Sequence, residues 1–153
     1  MITFRKATMK DAEDLHTLIN EFAEKGLMLP RSRNTIYESL REFTVMMDEG
    51  KLVGTGALHI IWDNLAEIRA LAIHPDYQHQ GLGQQLIAML LNEAIAMEIH
   101  QVFALTYQVD FFTKCGFRIV SKEQMSPKVW KECINCPKFP NCDEVAMIKD
   151  LEF

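Results

Sequence analysis

Apolar residues alternate in short runs at both ends of the chain and recur every three to four residues in two longer stretches between them. "ITFRKA" alternates and predicts an opening strand. "TMKDAEDLHTLINEFAEKG" then carries Ala12, Leu15, Leu18, Ile19 and Phe22 on one helical stripe. Thr8 with Asp11 has capping-box spacing at its start, and Gly26 stops it. "LMLPRSRN" reads as a loop, and "TIYESLREF" as a short helix with Thr35 and Glu38 again at capping-box spacing. "TVMMDEGKLVGTGALHIIW" predicts a hairpin turning at Asp48-Glu49-Gly50. Leu65 to Ile73, "LAEIRALAI", is so apolar that it predicts a central strand covered on both faces. A polar loop follows, then a helix from about Gly81 to Glu98 with Leu82, Leu86, Ile87, Leu90, Leu91, Ala94 and Ile95 inward. "QVFALTY" is the next strand, "VDFFTKCG" a short helix ended by Gly116, and "FRIVS" and "EVAMIKDLEF" are closing strands. A meander followed by alternating strands and helices predicts a mixed sheet with helices packed on its faces.

Composition narrows the function classes. The 153 residues suit one domain with a sizeable core. A net charge of −5 without a basic tract argues against nucleic-acid binding. The first segment is too polar for a signal peptide, and no apolar run is long enough to span a bilayer, so a cytoplasmic protein is expected. Structural disulfides are then not expected of the four cysteines. Cys115 reads as a small buried hydrophobe. Cys133, Cys136 and Cys142 lie in "ECINCPKFPNC", where zinc would want a fourth ligand and only Asp143 and Glu144 are near. They read as reduced thiols in a tight Pro-rich loop, and no metal is expected.

The loop "HPDYQHQGLGQQ" poses a charge problem. Its glycines, Gly81 and Gly83, suggest close approach to a bulky anion. Yet no lysine or arginine occurs between His74 and His100. The backbone can supply the charge. The first turn of a helix has unpaired N–H groups and about half a positive charge from the aligned peptide dipoles. Successive N–H groups in a turn can also form an anion-binding concavity. For the glycine pair alone, a tight strand-to-helix turn with glycines placed for packing is the better explanation. In context, Gln78-x-x-Gly81-x-Gly83 after an apolar strand and "HP" resembles the acetyl-CoA pyrophosphate loop of the GNAT superfamily of N-acetyltransferases. The likeness extends along the whole chain to "DFFTKCGF".

That resemblance implies an α+β, three-layer fold: a mixed, mostly antiparallel sheet flanked by helices and splayed at its fourth and fifth strands. Residues 1–153 form a single N-acetyltransferase domain in this reading. The co-substrate is acetyl-CoA. Backbone amides of Gln78, His79, Gln80, Gly81, Leu82, Gly83 and Gln84 would hold its pyrophosphate. Backbone at Leu71, Ala72 and Ile73 would bind pantetheine, and an N–H there would stabilise the oxyanion.

An amine must lose its proton before attacking a thioester. Glu67 lies on the central strand, where a charge is unexpected, and Arg69 shares its face two residues on. The alternative is a simple ion pair at an exposed strand end. In the family a glutamate matching Glu67 is often the general base. Many relatives place a tyrosine on the short helix to protonate the leaving thiolate, but the matching residue here is Phe112. Tyr107 is the nearest candidate acid, against plain strand-end packing. "LMLPRS", "AEIRALAIHP" and "CINCPKFPNCDEVAM" together resemble short, stand-alone acetyltransferases of the N-acetylglutamate synthase type. That type acetylates the α-amino group of glutamate, a step of arginine biosynthesis. The two carboxylates of such an acceptor would suit Arg31, Arg33 and Arg69.

The leading expectation is therefore an acetyl-CoA-dependent amino-acid N-acetyltransferase acting on glutamate. The alternatives are acetylation of another small amine or a protein N-terminus, and a non-catalytic acyl-CoA-binding sensor. Partners are the small-molecule amine and, from the family habit, a second copy of the chain as a homodimer. No membrane is expected.

Overall fold

The computed structural model describes residues 1–121 and 144–152. Among the described residues, seven strands and four α-helices follow one another as β1 (Ile2–Lys6), α1 (Ala12–Glu24), α2 (Arg33–Glu38), β2 (Phe43–Asp48), β3 (Lys51–Trp62), β4 (Leu65–Ile73), α3 (Leu82–Ala96), β5 (Gln101–Thr106), α4 (Val109–Lys114), β6 (Arg118–Ile119) and β7 (Val145–Asp150). The strand order is β1-β2-β3-β4-β5-β7-β6, so β4 is the central strand as its composition requires. Pairing is antiparallel at β1–β2, β2–β3, β5–β7 and β6–β7, and parallel at β4–β5. This is the mixed sheet that the alternation of elements predicts, mostly antiparallel as the family resemblance implies. Among the described residues no helix is long and apolar enough to cross a membrane. Cys133, Cys136 and Cys142 lie outside the described residues.

The chain divides into two compact units, one of Met1–His59 with Ile68–Leu90 and one of Ile60–Glu67 with Leu91–Phe153. In the first, Leu15 and Ile19 of α1 and Ile36 of α2 are fully buried with Phe43 and Val45 of β2. Each such side chain stabilises the fold by about 1.5–3 kcal/mol. The start of α1 is fixed twice over. Asp11 accepts the Thr8 N–H at 2.7 Å, and Arg5 grips the same carboxylate through both terminal nitrogens at 2.7 and 2.9 Å. The Arg5 guanidinium first, and the Thr8 hydrogen bonds after it, hold this buried carboxyl below the ordinary Asp range. At the other end Gly26, with φ +75°, donates to Ala23 O while Leu27 donates to Phe22 O. That bond pair is the Schellman motif expected of a glycine one residue past a helix.

Two details depart from the sequence reading. The helix α2 starts two residues earlier than "TIYESLREF", and its cap is Ser32, whose hydroxyl accepts from the Thr35 N–H at 3.2 Å. Thr35 is thus inside the helix rather than its cap, and Arg33 is the first helical residue rather than a loop residue. The hairpin turns at Glu49-Gly50, both at positive φ, with Asp48 paired to Lys51. Mutual positive φ is the type I′ geometry that matches strand twist. Further along, the β2–β3 register shifts between Met46 and Met47, leaving Val53 as the extra residue.

In the second unit, β5 and β7 pair from Gln101↔Asp150 to Thr106↔Val145 over a core of Phe103, Ala146 and Ile148. The short helix α4 ends as α1 does: Gly116, with φ +93°, donates to Thr113 O and Phe117 donates to Phe112 O. Cys115 is half-buried rather than fully so, and burial pushes its thiol up.

Candidate active site

Between β4 and α3 the chain makes a 3-10 turn, Pro75–Tyr77, and then the exposed stretch that opens the helix. Side chains tie this stretch down. The Gln78 amide donates to Ile73 O at 2.7 Å, returning to the end of β4, and Gln80 donates to Asp76 O at 3.2 Å. The His74 Nδ1 accepts the Asp76 N–H at 3.2 Å. His79 and Gly81 both sit at positive φ, +64° and +80°. For histidine that conformation costs about 1–3 kcal/mol, so the surrounding bonds must enforce it. Left-handed residues alternating with ordinary ones turn successive N–H groups toward one side, the geometry of an anion nest. Gln85 makes the first backbone bond of the helix, to Gly81 O. Among the described residues no hydrogen bond uses the N–H groups of residues 79–84. Six donors are thus left without a partner at the N-terminal end of a fifteen-residue helix, where the aligned peptide dipoles place partial positive charge.

Tyr77, which the sequence reading passed over, anchors this loop from below. Its ring packs with Met46, Val53 and Leu82, next to Ile73. Its hydroxyl donates to Asp48 Oδ2 at 2.6 Å. That bond raises the phenol above its ordinary value and, as the largest cause, holds the Asp48 carboxyl low. Tyr77 thus ties the turn after β4 to Asp48 at the end of β2 while its ring packs on the cluster that holds Leu82.

Within β4, Ala70 has φ +52°. A left-handed alanine inside a strand breaks the pleat and stores about 1–3 kcal/mol of strain. Such strain often marks a functional site, and it falls immediately before Leu71, Ala72 and Ile73. Gly54 and Gly56 of β3 make room beside them. A Cβ on Gly54 would lie 3.4 Å from Ala72 O and 2.8 Å from Met46 Cε, and one on Gly56 would lie 3.3 Å from Leu71 Cδ1.

The two arginines after α1 differ. Arg33 Nε lies 2.7 Å from Glu13 Oε1 and its Nη2 3.1 Å from Oε2, an exposed fork-to-fork pair. Each partner shifts the other, Arg33 upward and Glu13 downward. Arg31 is half-buried, and among the described residues its guanidinium makes no hydrogen bond or ion pair. Arg69 is half-buried on β4.

In the second unit Glu67 is 9% exposed, a carboxyl buried on the central strand. It forms the last of three parallel pairs, opposite Phe103 on β5. Tyr107 follows the end of β5 and is partly exposed. Phe112 is buried, edge-on to Phe111 and Phe117 with ring centres 5.2 and 5.1 Å away. No group of His, Cys, Asp or Glu able to hold a metal is found among the described residues.

Residues 10–117 match the acetyltransferase (GNAT) family. The chain is 36% identical over 149 residues to an uncharacterized N-acetyltransferase of Chlorobaculum tepidum, covering 96% of this chain and 95% of that one. It is 33% identical to an amino-acid acetyltransferase of Mycobacterium tuberculosis, over 84% of this chain and 75% of that one. The fold superposes with a TM-score of 0.90 on the structure of N-acetylglutamate synthase from Neisseria gonorrhoeae complexed with coenzyme A and N-acetyl-glutamate, at 25% identity. That match covers all of this chain and 36% of the gonococcal one.

Proposed function

The chain belongs to the acetyltransferase (GNAT) family of enzymes, with acetyl-CoA as co-substrate, and on that premise we propose that it acetylates the amine of an amino acid, glutamate foremost. This would place it in arginine biosynthesis in the cytoplasm. The observation that carries the reading is the set of unused N–H groups at residues 79–84, which offers a diphosphate a positive seat without any lysine or arginine. The amino-acid acetyltransferase of M. tuberculosis and the gonococcal N-acetylglutamate synthase support the acceptor class.

In this reading the diphosphate rests on the N–H groups of His79 to Gln84, whereas the Gln78 N–H, expected among them, is spent on Pro75 O and Gln78 anchors the loop through its side chain. Pantetheine runs along the backbone of Leu71, Ala72 and Ile73 after the break at Ala70. A main-chain N–H there polarises the thioester carbonyl. Glu67, directly or through water, takes the proton that the ammonium must shed, and the freed amine attacks the acyl carbon. The C–S bond breaks, the attacking nitrogen sheds its second proton to water, and the coenzyme leaves as thiolate, with Tyr107 as the candidate donor of the proton it takes up. Arg31 and Arg69 meet the acceptor carboxylates. Arg33 would have to exchange Glu13 for substrate, which makes it a weaker candidate than Arg31. A panel of free amino acids with acetyl-CoA, read by thiol release against a control for the enzyme's own cysteines, tests the proposal. Glutamate is expected to turn over fastest, and activity confined to peptides or polyamines rejects it. Glu67→Gln should lower kcat about 100-fold at neutral pH. A rate–pH profile identical to wild type would remove Glu67 from the mechanism.

The buried Phe112, where many relatives carry a tyrosine, favours a second reading, a sensor that binds acyl-CoA without chemistry. Coenzyme binding with no thiol release on any amine would select it.

A further inference from the structure

Asn20 lies in α1, eleven residues before Arg31, and its side-chain amide is fully committed to backbone. Its Nδ2 donates to His16 O at 2.8 Å and to Arg31 O at 2.9 Å. Its Oδ1 accepts the Arg31 N–H at 3.1 Å. The amide thus pairs with both backbone groups of one residue, as a neighbouring strand would. It does so in the connection between α1 and α2, which has no regular structure to hold it. The next residue, Ser32, is fixed by its capping bond to α2. The backbone at Arg31 is therefore pinned from both helices.

The side chain that this clasp carries behaves differently from its neighbour. Arg33 is neutralised by Glu13, whereas the half-buried guanidinium of Arg31 has no partner among the described residues. A cationic fork on a fixed stem, with nothing inside the protein to neutralise it, is pre-organised for a planar anion. We propose that Asn20 is a positioning residue for the acceptor: its amide fixes Arg31, whose guanidinium selects amines that bear a carboxylate. This deepens the reading of Arg31 given above and rests on it.

The test compares wild type, Asn20→Ala, Asn20→Ser, Arg31→Ala and the double variant Asn20→Ala with Arg31→Ala. Each is assayed with the best amino-acid acceptor and with the same compound converted to its carboxamide. Asn20→Ala should raise KM for the acid about tenfold, with a much smaller change in kcat and in the coenzyme Kd. KM for the amide should hardly move, so the preference for the acid shrinks. In the Arg31→Ala background the same change should add nothing, because the two act as one device. If Asn20→Ala fails to fold, Asn20→Ser, which keeps a smaller polar group, carries the comparison, with melting temperature as the folding control. Equal losses on acid and amide, or additive losses in the double variant, overturn the proposal. A wild type with no preference for the acid overturns the parent reading as well, whereas a preference that survives in the Asn20 variants overturns this inference alone.

Discussion

The turn from Ile73 into α3 and the connection from α1 into α2 lie in the same compact unit, and they are built in opposite ways. In the first, the side chains of Gln78, Gln80 and Tyr77 hold the loop, and main-chain N–H groups are left facing water. In the second, Asn20 and Ser32 satisfy the main chain, and a guanidinium is left over. On the proposed function, either arrangement would offer a seat for an anion. The backbone seat is shape-selective and fixed in place, suited to a diphosphate that is the same in every turnover. The side-chain seat is a single guanidinium fork held on a pinned backbone, suited to one planar carboxylate rather than to a diphosphate. On the proposed function, the contrast would let an enzyme of net charge −5 take an anionic co-substrate through a loop with no lysine or arginine in its sequence.

If the contrast is real, substitutions in the two loops should affect different ligands. The largest effect is expected at Arg31→Ala, with acceptor kcat/KM falling about 10- to 100-fold while the coenzyme Kd is unchanged in calorimetry. Gly81→Ala should do the reverse. Its positive φ disfavours any side chain, although a Cβ there would meet nothing within 4 Å, so the loss should appear as a coenzyme Kd about tenfold weaker with the acceptor KM intact. Tyr77→Phe removes the bond to Asp48 but keeps the ring among Met46, Val53 and Leu82, and should weaken coenzyme about threefold. Arg33→Ala should be the smallest. Its pair with Glu13 is more than half exposed on both sides, and acceptor KM should stay within about twofold. A large KM effect at Arg33 with none at Arg31 would exchange their roles and dissolve the comparison.

Elements whose causes are local could be read from the residues alone. The stripe of α1, its end at Gly26, the Glu49-Gly50 turn and the close of α4 at Gly116 each depend on side chains a few positions apart. The start of α2 could not be decided that way. Ser32 and Thr35 both fit a capping position, and the polar residues between them give no apolar period to choose by. The turn that opens α3 was legible as glycine spacing, but its backbone geometry was not, since the positive φ of His79 has no signature in a histidine. The same holds for Ala70, where packing against the core under α1 and α2 overrides the preference of alanine. Asn20 and Tyr77 were missed for a different reason. Their partners lie 11 and 29 residues away, and an asparagine on a helix or a tyrosine in a turn looks like any other until those partners are placed.

The ring of Phe112 has a consequence for how this enzyme could change. It closes the last turn of α4 through its contact with Phe117, whose N–H also binds the Phe112 carbonyl, and Phe111 stands edge-on to it. A phenol installed at 112 would bring its oxygen into an aromatic wedge that fastens helix to strand. Before it could donate a proton it would have to find a way out of that wedge, or stay there dry and unbonded. Acquiring a dedicated acid at this point is therefore a repacking problem first and a chemical one second, and variants at Phe111 and Phe117 would have to come before it.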